Sequence, residues 1–140
     1  MGDGPPLASS RRPPYDSPGM IERDLIDVVD TIRDRDPRYR REGYLFVMAS
    51  LDHVVRRLSR PRHVSGQELL AGAVELAREQ FGPLAQTVLE EWGLKSSLDV
   101  GHVVFHLVDE GLLGREPTDR LEDFQGGIDI HDELAPKPRT

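Results

Sequence analysis

One stretch constrains the fold of this chain more than any other. Arg38 to Leu58, RYRREGYLFVMASLDHVVRRL, carries apolar residues on two faces of a helix. At about 100° per residue, Tyr44, Val47, Met48, Leu51, Val54, Val55 and Leu58 fall on one arc of i, i+3, i+4 and i+7 steps. Phe46, Ala49, Ser50 and His53 lie nearly opposite, where a Phe would meet water unless a second layer covered it. The pattern predicts a central helix packed from both sides. Asp36 is placed to cap its first turn, with Pro37 at the first helical position, where a missing N–H costs nothing.

The flanking segments supply partners for both faces. Ile21, Leu25, Val28, Val29 and Ile32 repeat at helical spacing between Pro18 and about Asp34, with Ser17 as a cap, so this helix has one apolar face. Further on, Ser65 and Glu68 form a capping box, with Val64 and Leu69 as its hydrophobic staple. The helix they start buries Leu69, Leu70, Ala73, Val74, Leu76 and Ala77, and Phe81-Gly82-Pro83 breaks it. Pro83 opens a short helix with Leu84, Val88, Leu89 and Trp92 inward, and Gly93-Leu94 reads as its stop. Ser96 or Ser97 caps the next, whose inner stripe is Val100, Val103, Val104, Leu107 and Val108, with Gly111-Leu112 as a second stop.

Beyond that point the character changes. Leu112 to Glu116, a turn at Pro117-Thr118-Asp119, and Arg120 to Phe124 read as two short antiparallel strands, after which Ile128, Ile130 and Leu134 form a last apolar anchor. Helix, helix, third helix ending in GLL and then a hairpin is the order of a winged helix. The expected fold is therefore mainly α, a helical bundle with a winged-helix-like C-terminal half and a short β-hairpin. A plain five-helix bundle with an irregular end accounts for the same periodicities. Residues 1–19, with five prolines and three glycines, are expected to be a disordered tail. Residues 20–134 form a single domain, divided into a helical pair at 20–63 and the winged-helix-like half at 64–130, and 135–140 are a second tail.

A chain of 140 residues can bury a core without staples, and the absence of cysteine excludes disulfides and thiolate chemistry. No apolar run approaches the roughly 18 residues of a membrane span, and MGDGPPLASSRRPPYDSPG lacks a signal-peptide core, so the expectation is a soluble, cytoplasmic protein with no membrane partner. The net charge of −7 is unevenly spread: residues 1–64 hold 12 basic against 10 acidic side chains, and 65–140 hold 6 against 15. Between Arg33 and Arg62, nine arginines face four acids. A negative overall field opposes wide contact with a polyanion, whereas a local arginine patch suits one phosphate-rich or acidic segment.

At DPRYRREGYLFVMASLDHVVRRL, RPRHVSGQELL, QFGPLAQTVLEEWG and VVFHLVDEGLL, the sequence resembles a family of small bacterial proteins first noted as restricted to planctomycetes and verrucomicrobia. The resemblance covers about Asp36 to Asp129. That family has no established function, so the resemblance implies no catalytic or binding residue. It also implies no family-wide role for His102 and His106, where the family carries other polar residues.

Few residues suggest chemistry. Asp99, His102 and His106 at i, i+3 and i+7 share a helix face, and imidazoles four apart with a carboxylate can ligate a transition metal. H-x-x-x-H without the glutamate of H-E-x-x-H is outweighed by a plain solvated face. There is no G-x-S-x-G elbow, phosphate loop or dinucleotide fingerprint, so no catalytic residue and no cofactor is assigned and the chain leans away from an enzyme.

The arginines are the stronger candidates. Arg56, Arg57, Arg60, Arg62 and His63 leave the end of the central helix together, and Arg38, Arg40 and Arg41 stand with Tyr39 and Tyr44 at its start. The outer face of Leu98 to Glu110 has no Arg or Lys, which disfavours a DNA-reading third helix, while Phe105 on that face suits a protein contact or dimer seam. The expected function is a non-enzymatic interaction module that binds a protein partner or itself. The alternative is a nucleic-acid-associated protein using the Arg38–His63 patch.

Overall fold

The helix with two apolar faces runs from Arg41 to Val55 (α2) in the computed structural model, which describes residues 18–113 and 121–135, with side chains from 25 onward. Ahead of it lies α1, Pro18–Arg35; after it come α3, Gly66–Phe81, a 3₁₀ turn at Gly82–Leu84, α4, Ala85–Glu91, and α5, Ser97–Asp109. A 3₁₀ turn at Leu121–Phe124 and the short α6, Ile130–Glu133, complete the described chain. The fold is mainly α, and no helix among the described residues is long and apolar enough to cross a membrane.

Both faces of α2 are covered. Tyr44 and Val47 are fully buried, and α1 and α5 lie against α2. On the other side, Phe46 is 5% exposed because Phe81 and Trp92 stack around it, with ring centroids 6.4 and 5.9 Å away. Ser50, also on that side, is buried and returns its hydroxyl to the Phe46 carbonyl at 2.9 Å, so its polar atom costs little. Where α3 crosses, Gly72 supplies the closeness: a Cβ there would lie 2.3 Å from Val54 Cγ2.

The start of α2 differs from the expected one. It begins at Arg41, so Asp36 does not cap it; the Asp36 carboxylate closes a turn of the connector instead, accepting the Arg38 amide at 3.3 Å and the Arg38 guanidinium at 2.6–3.1 Å. The reason is Tyr39, only 1% exposed, which a helix running from Pro37 would not deliver to its place in the core. The connector is held by the next turn of structure: Arg40 N–H donates to the Trp92 carbonyl at 3.0 Å. Gly93, with φ of 93°, passes so close that a Cβ would lie 2.5 Å from the Arg38 carbonyl oxygen.

The helix ends follow local chemistry. Ser65 with Glu68 and Ser96 with Asp99 make reciprocal capping boxes. α4 and α5 both stop in Schellman motifs, with Gly93 N–H to Glu90 and Leu94 N–H to Leu89 in one, and Gly111 N–H to Val108 and Leu112 N–H to Leu107 in the other.

The predicted hairpin is not found. Residues 114–120 fall outside the described part, and Leu121–Phe124, expected as the second strand, is a 3₁₀ turn; the described residues contain no strand and so give no winged-helix wing. Physically, Leu121 and Phe124 both turn onto α5 at i, i+3 spacing, which a strand's alternation would forbid. Gly101 makes room, since a Cβ there would lie 2.8 Å from the Phe124 ring. The last apolar anchor does dock. Ile130 and Leu134 are buried, and Ser97 Oγ donates to the Ile128 carbonyl at 2.6 Å while accepting Ile130 N–H at 2.9 Å.

Candidate functional site

The arginine cluster is largely consumed by internal ion pairs. Arg41 clamps Asp30 of α1 at 2.9–3.2 Å, and Arg40 stands 4.0 Å from Glu91. Arg57 pairs with Glu75, which also takes His53 Nε2 at 3.1 Å; the histidine bond, with Arg57 adding to it, holds that carboxyl below its usual range. Arg62 forms a two-pronged bond with Glu68 at 3.0 and 2.8 Å, which drives the Glu68 carboxyl down to about 2. Arg56 pairs with Asp52 one turn back. Of the arginines predicted as contact points, Arg60 alone has no ion pair among the described residues.

The other predicted contact, Phe105, is not an outward patch. It is half-buried, edge-on to Phe124 with ring centroids 6.4 Å apart, because the Leu121–Phe124 turn lies over it. That correction comes from a long-range covering element, which helical periodicity along α5 does not register.

Asp99, His102 and His106 do share a face, yet they converge on tyrosines rather than on a common centre. Asp99 Oδ2 accepts the amides of Lys95 and Ser96, and Oδ1 accepts the Tyr39 hydroxyl at 2.7 Å. His102 Nδ1 lies 3.1 Å from the same hydroxyl, and His106 Nδ1 lies 2.9 Å from the Tyr44 hydroxyl. Among the described residues, no three His, Cys, Asp or Glu side chains are grouped to hold a metal ion. Asp99 and His102 meet at the Tyr39 hydroxyl, whereas His106 is turned to that of Tyr44. Burial pushes Tyr39 and Tyr44 upward, Tyr44 to about 12, so both stay protonated as donors. One sequence signal points to this arrangement: a tyrosine in the core needs a partner for its hydroxyl, and α5 offers the polar side chains.

A third feature lies where α2, α3 and α5 diverge. A cleft of about 220 Å³ opens there, floored by Val47, Leu51, Leu69 and Val104 and rimmed by Arg62 and His63. Val55 stands at its mouth, 45% exposed. Two predicted contact residues, Arg62 and His63, thus border an aliphatic surface that sequence reasoning assigned wholly to the core. Arg60 precedes them in the same loop, outside the lining of the cleft.

Compared with protein-family models, with curated proteins and with solved structures, the chain matches none.

Proposed function

We propose that this chain is a non-enzymatic, cytoplasmic protein-interaction module that seats apolar side chains of a partner protein in the cleft beside Val55. The observation that carries the reading is that cleft, an aliphatic floor with a half-exposed valine at its mouth. At about 220 Å³ it is below the roughly 300–1,000 Å³ usual for small-molecule sites, so it suits one or two anchor side chains of a larger partner. Arg60, between the cleft residues Val55 and Arg62 in sequence though not in the lining itself, has no ion pair among the described residues and is the cation of this loop left for a partner's carboxylate.

The pairing of Arg40, Arg41, Arg57 and Arg62 with acids speaks against the nucleic-acid alternative, because phosphate contacts would first have to break those pairs. The test compares the wild-type chain with Val55→Glu and Arg60→Glu, by cross-linking in the native cytoplasm and by solution mass. A partner or second copy joined to the wild type and lost from a still-helical Val55→Glu supports the reading. A monomer that cross-links to nothing, or a partner indifferent to Val55→Glu, removes it. Retarded mobility of mixed RNA and DNA fragments at low salt, abolished by Arg60→Glu, would replace it with the alternative.

A further inference from the structure

His106 joins three elements. Its Nδ1 meets the Tyr44 hydroxyl of α2 at 2.9 Å, and its Nε2 lies 3.4 Å from Asp36 Oδ2 in the connector between α1 and α2. Its ring stacks on that of Tyr44, with centroids 6.1 Å apart. A shallow cleft of about 140 Å³, bordered by Ile32, Arg35, Asp36 and Asp109, gives water a path to the imidazole.

Counting protons assigns the tautomers. Tyr44 is fully buried, and its hydroxyl has no second partner among the described residues. Its one proton therefore needs the Nδ1 lone pair as acceptor, which leaves the His106 proton on Nε2, facing Asp36. His102 is the reverse. Tyr39 gives its only proton to Asp99 in the shorter, charge-assisted bond at 2.7 Å, so the 3.1 Å contact is donated by His102 Nδ1–H. The two histidines, one turn apart, carry opposite tautomers.

We infer that His106 is a proton-operated latch: the neutral ring holds the Asp36–Arg40 connector and α2 against α5, and a second ring proton releases the connector. With both nitrogens protonated, the ring offers no acceptor, and the buried Tyr44 hydroxyl proton is stranded. Asp36 attracts the new charge, and Arg38, which shares that carboxylate, opposes it. Around the ring stand Arg35 from α1, Asp36, Arg38 and Tyr39 from the connector, Tyr44 from α2, and His102, Asp109 and Glu110 from α5 itself, with Arg35 and Glu110 already paired to each other. Desolvation outweighs the attraction of Asp36, and the His106 pKa is held below the ordinary value of 6.5. A histidine depressed in this way binds fewer protons folded than unfolded. The closed state is therefore at full strength above 6.5 and weakens as the pH falls from there toward the lowered value.

The test uses the whole chain. Imidazole ¹⁵N shifts near neutral pH should show Nε2–H for His106 and Nδ1–H for His102, with His106 titrating below an ordinary histidine. Hydrogen exchange, corrected for intrinsic rates, should show the amides of Arg40, bonded to Trp92, and Gly43, bonded to Arg40, losing about tenfold protection between about pH 7 and about pH 5. His106→Gln, which can still accept from Tyr44 but cannot titrate, should keep their protection constant over that range. Tyr44→Phe should raise the His106 pKa and shrink the effect. A ring already doubly protonated at neutral pH, unchanged protection in the wild type, or an equal loss in His106→Gln would overturn the latch. If His106→Gln does not fold, the wild-type titration and exchange decide.

Discussion

The Tyr39 hydroxyl donates to Asp99 Oδ1 across 2.7 Å, and this bond ties the connector ahead of α2 to the first turn of α5. Asp99 thereby closes the capping box of its own helix with one oxygen and anchors a distant aromatic residue with the other.

Tyr39→Phe removes a buried hydrogen bond to a charged group, so it should lower stability by about 2 kcal/mol, against about 1 kcal/mol for Tyr44→Phe, whose partner is neutral. Urea midpoints of the two variants check the order. Equal effects would mean that the Asp99 bond contributes no more than the His106 one.

Gly93 and Gly111 end their helices in the same motif with positive φ, yet their surroundings differ. A Cβ at Gly111 meets nothing among the described residues within 4 Å, whereas one at Gly93 strikes the Arg38 carbonyl at 2.5 Å. Gly111→Ala should therefore cost about 1 kcal/mol, the ordinary left-handed penalty, and Gly93→Ala about 3 kcal/mol or more, because backbone must also move. Thermal unfolding of the pair measures the difference.

Two carboxylates should shape the acid limb of stability. Hydrogen bonds from Arg38 and Arg62 lower Asp36 and Glu68 to about 2 each. Groups depressed when folded contribute stability above their unfolded range, and that contribution is lost as the pH falls from about 4 toward about 2. Asp36→Asn and Arg62→Ala should each flatten this limb, and in Arg62→Ala the Glu68 carboxyl should titrate nearer its ordinary range by NMR.

Arg41→Ala should cost less than about 1 kcal/mol, since its pair with Asp30 is exposed on both sides. A larger loss in chemical denaturation would show that the α1–α2 contact depends on that pair more than on Val29 and Ile32.

Much of the fold is legible residue by residue. The capping box at Ser65 and the glycine stops at Gly93 and Gly111 act within a few residues, so local pattern is enough to place them, while at α5 the pattern left Ser96 and Ser97 both eligible as caps and the structure selects Ser96. The covering of Phe46 is legible as well, because an apolar residue opposite a core stripe demands a second layer. The start of α2 is not: Asp36-Pro37 has the chemistry of a helix start, and the burial of Tyr39 overrides it. The candidate site is less legible still. The arginines can be counted in the sequence, but not that Asp30, Glu75 and Glu68 would neutralise Arg41, Arg57 and Arg62.

The sequence by itself determined the five longer helices, most of their ends and the two-faced element around which they pack, because periodicity and capping are short-range physics; the start of α2 and the Leu121–Phe124 turn were not among them. Only the tertiary structure decided what the polar residues do. It sent Asp99, His102 and His106 to two buried tyrosines, laid Phe124 over Phe105, and left Val55 at the mouth of an open cleft. Those outcomes depend on which side chains meet from segments beyond the reach of a helical turn, more than fifty residues apart for the tyrosine bonds, where burial must be matched by a partner and local preference has no say.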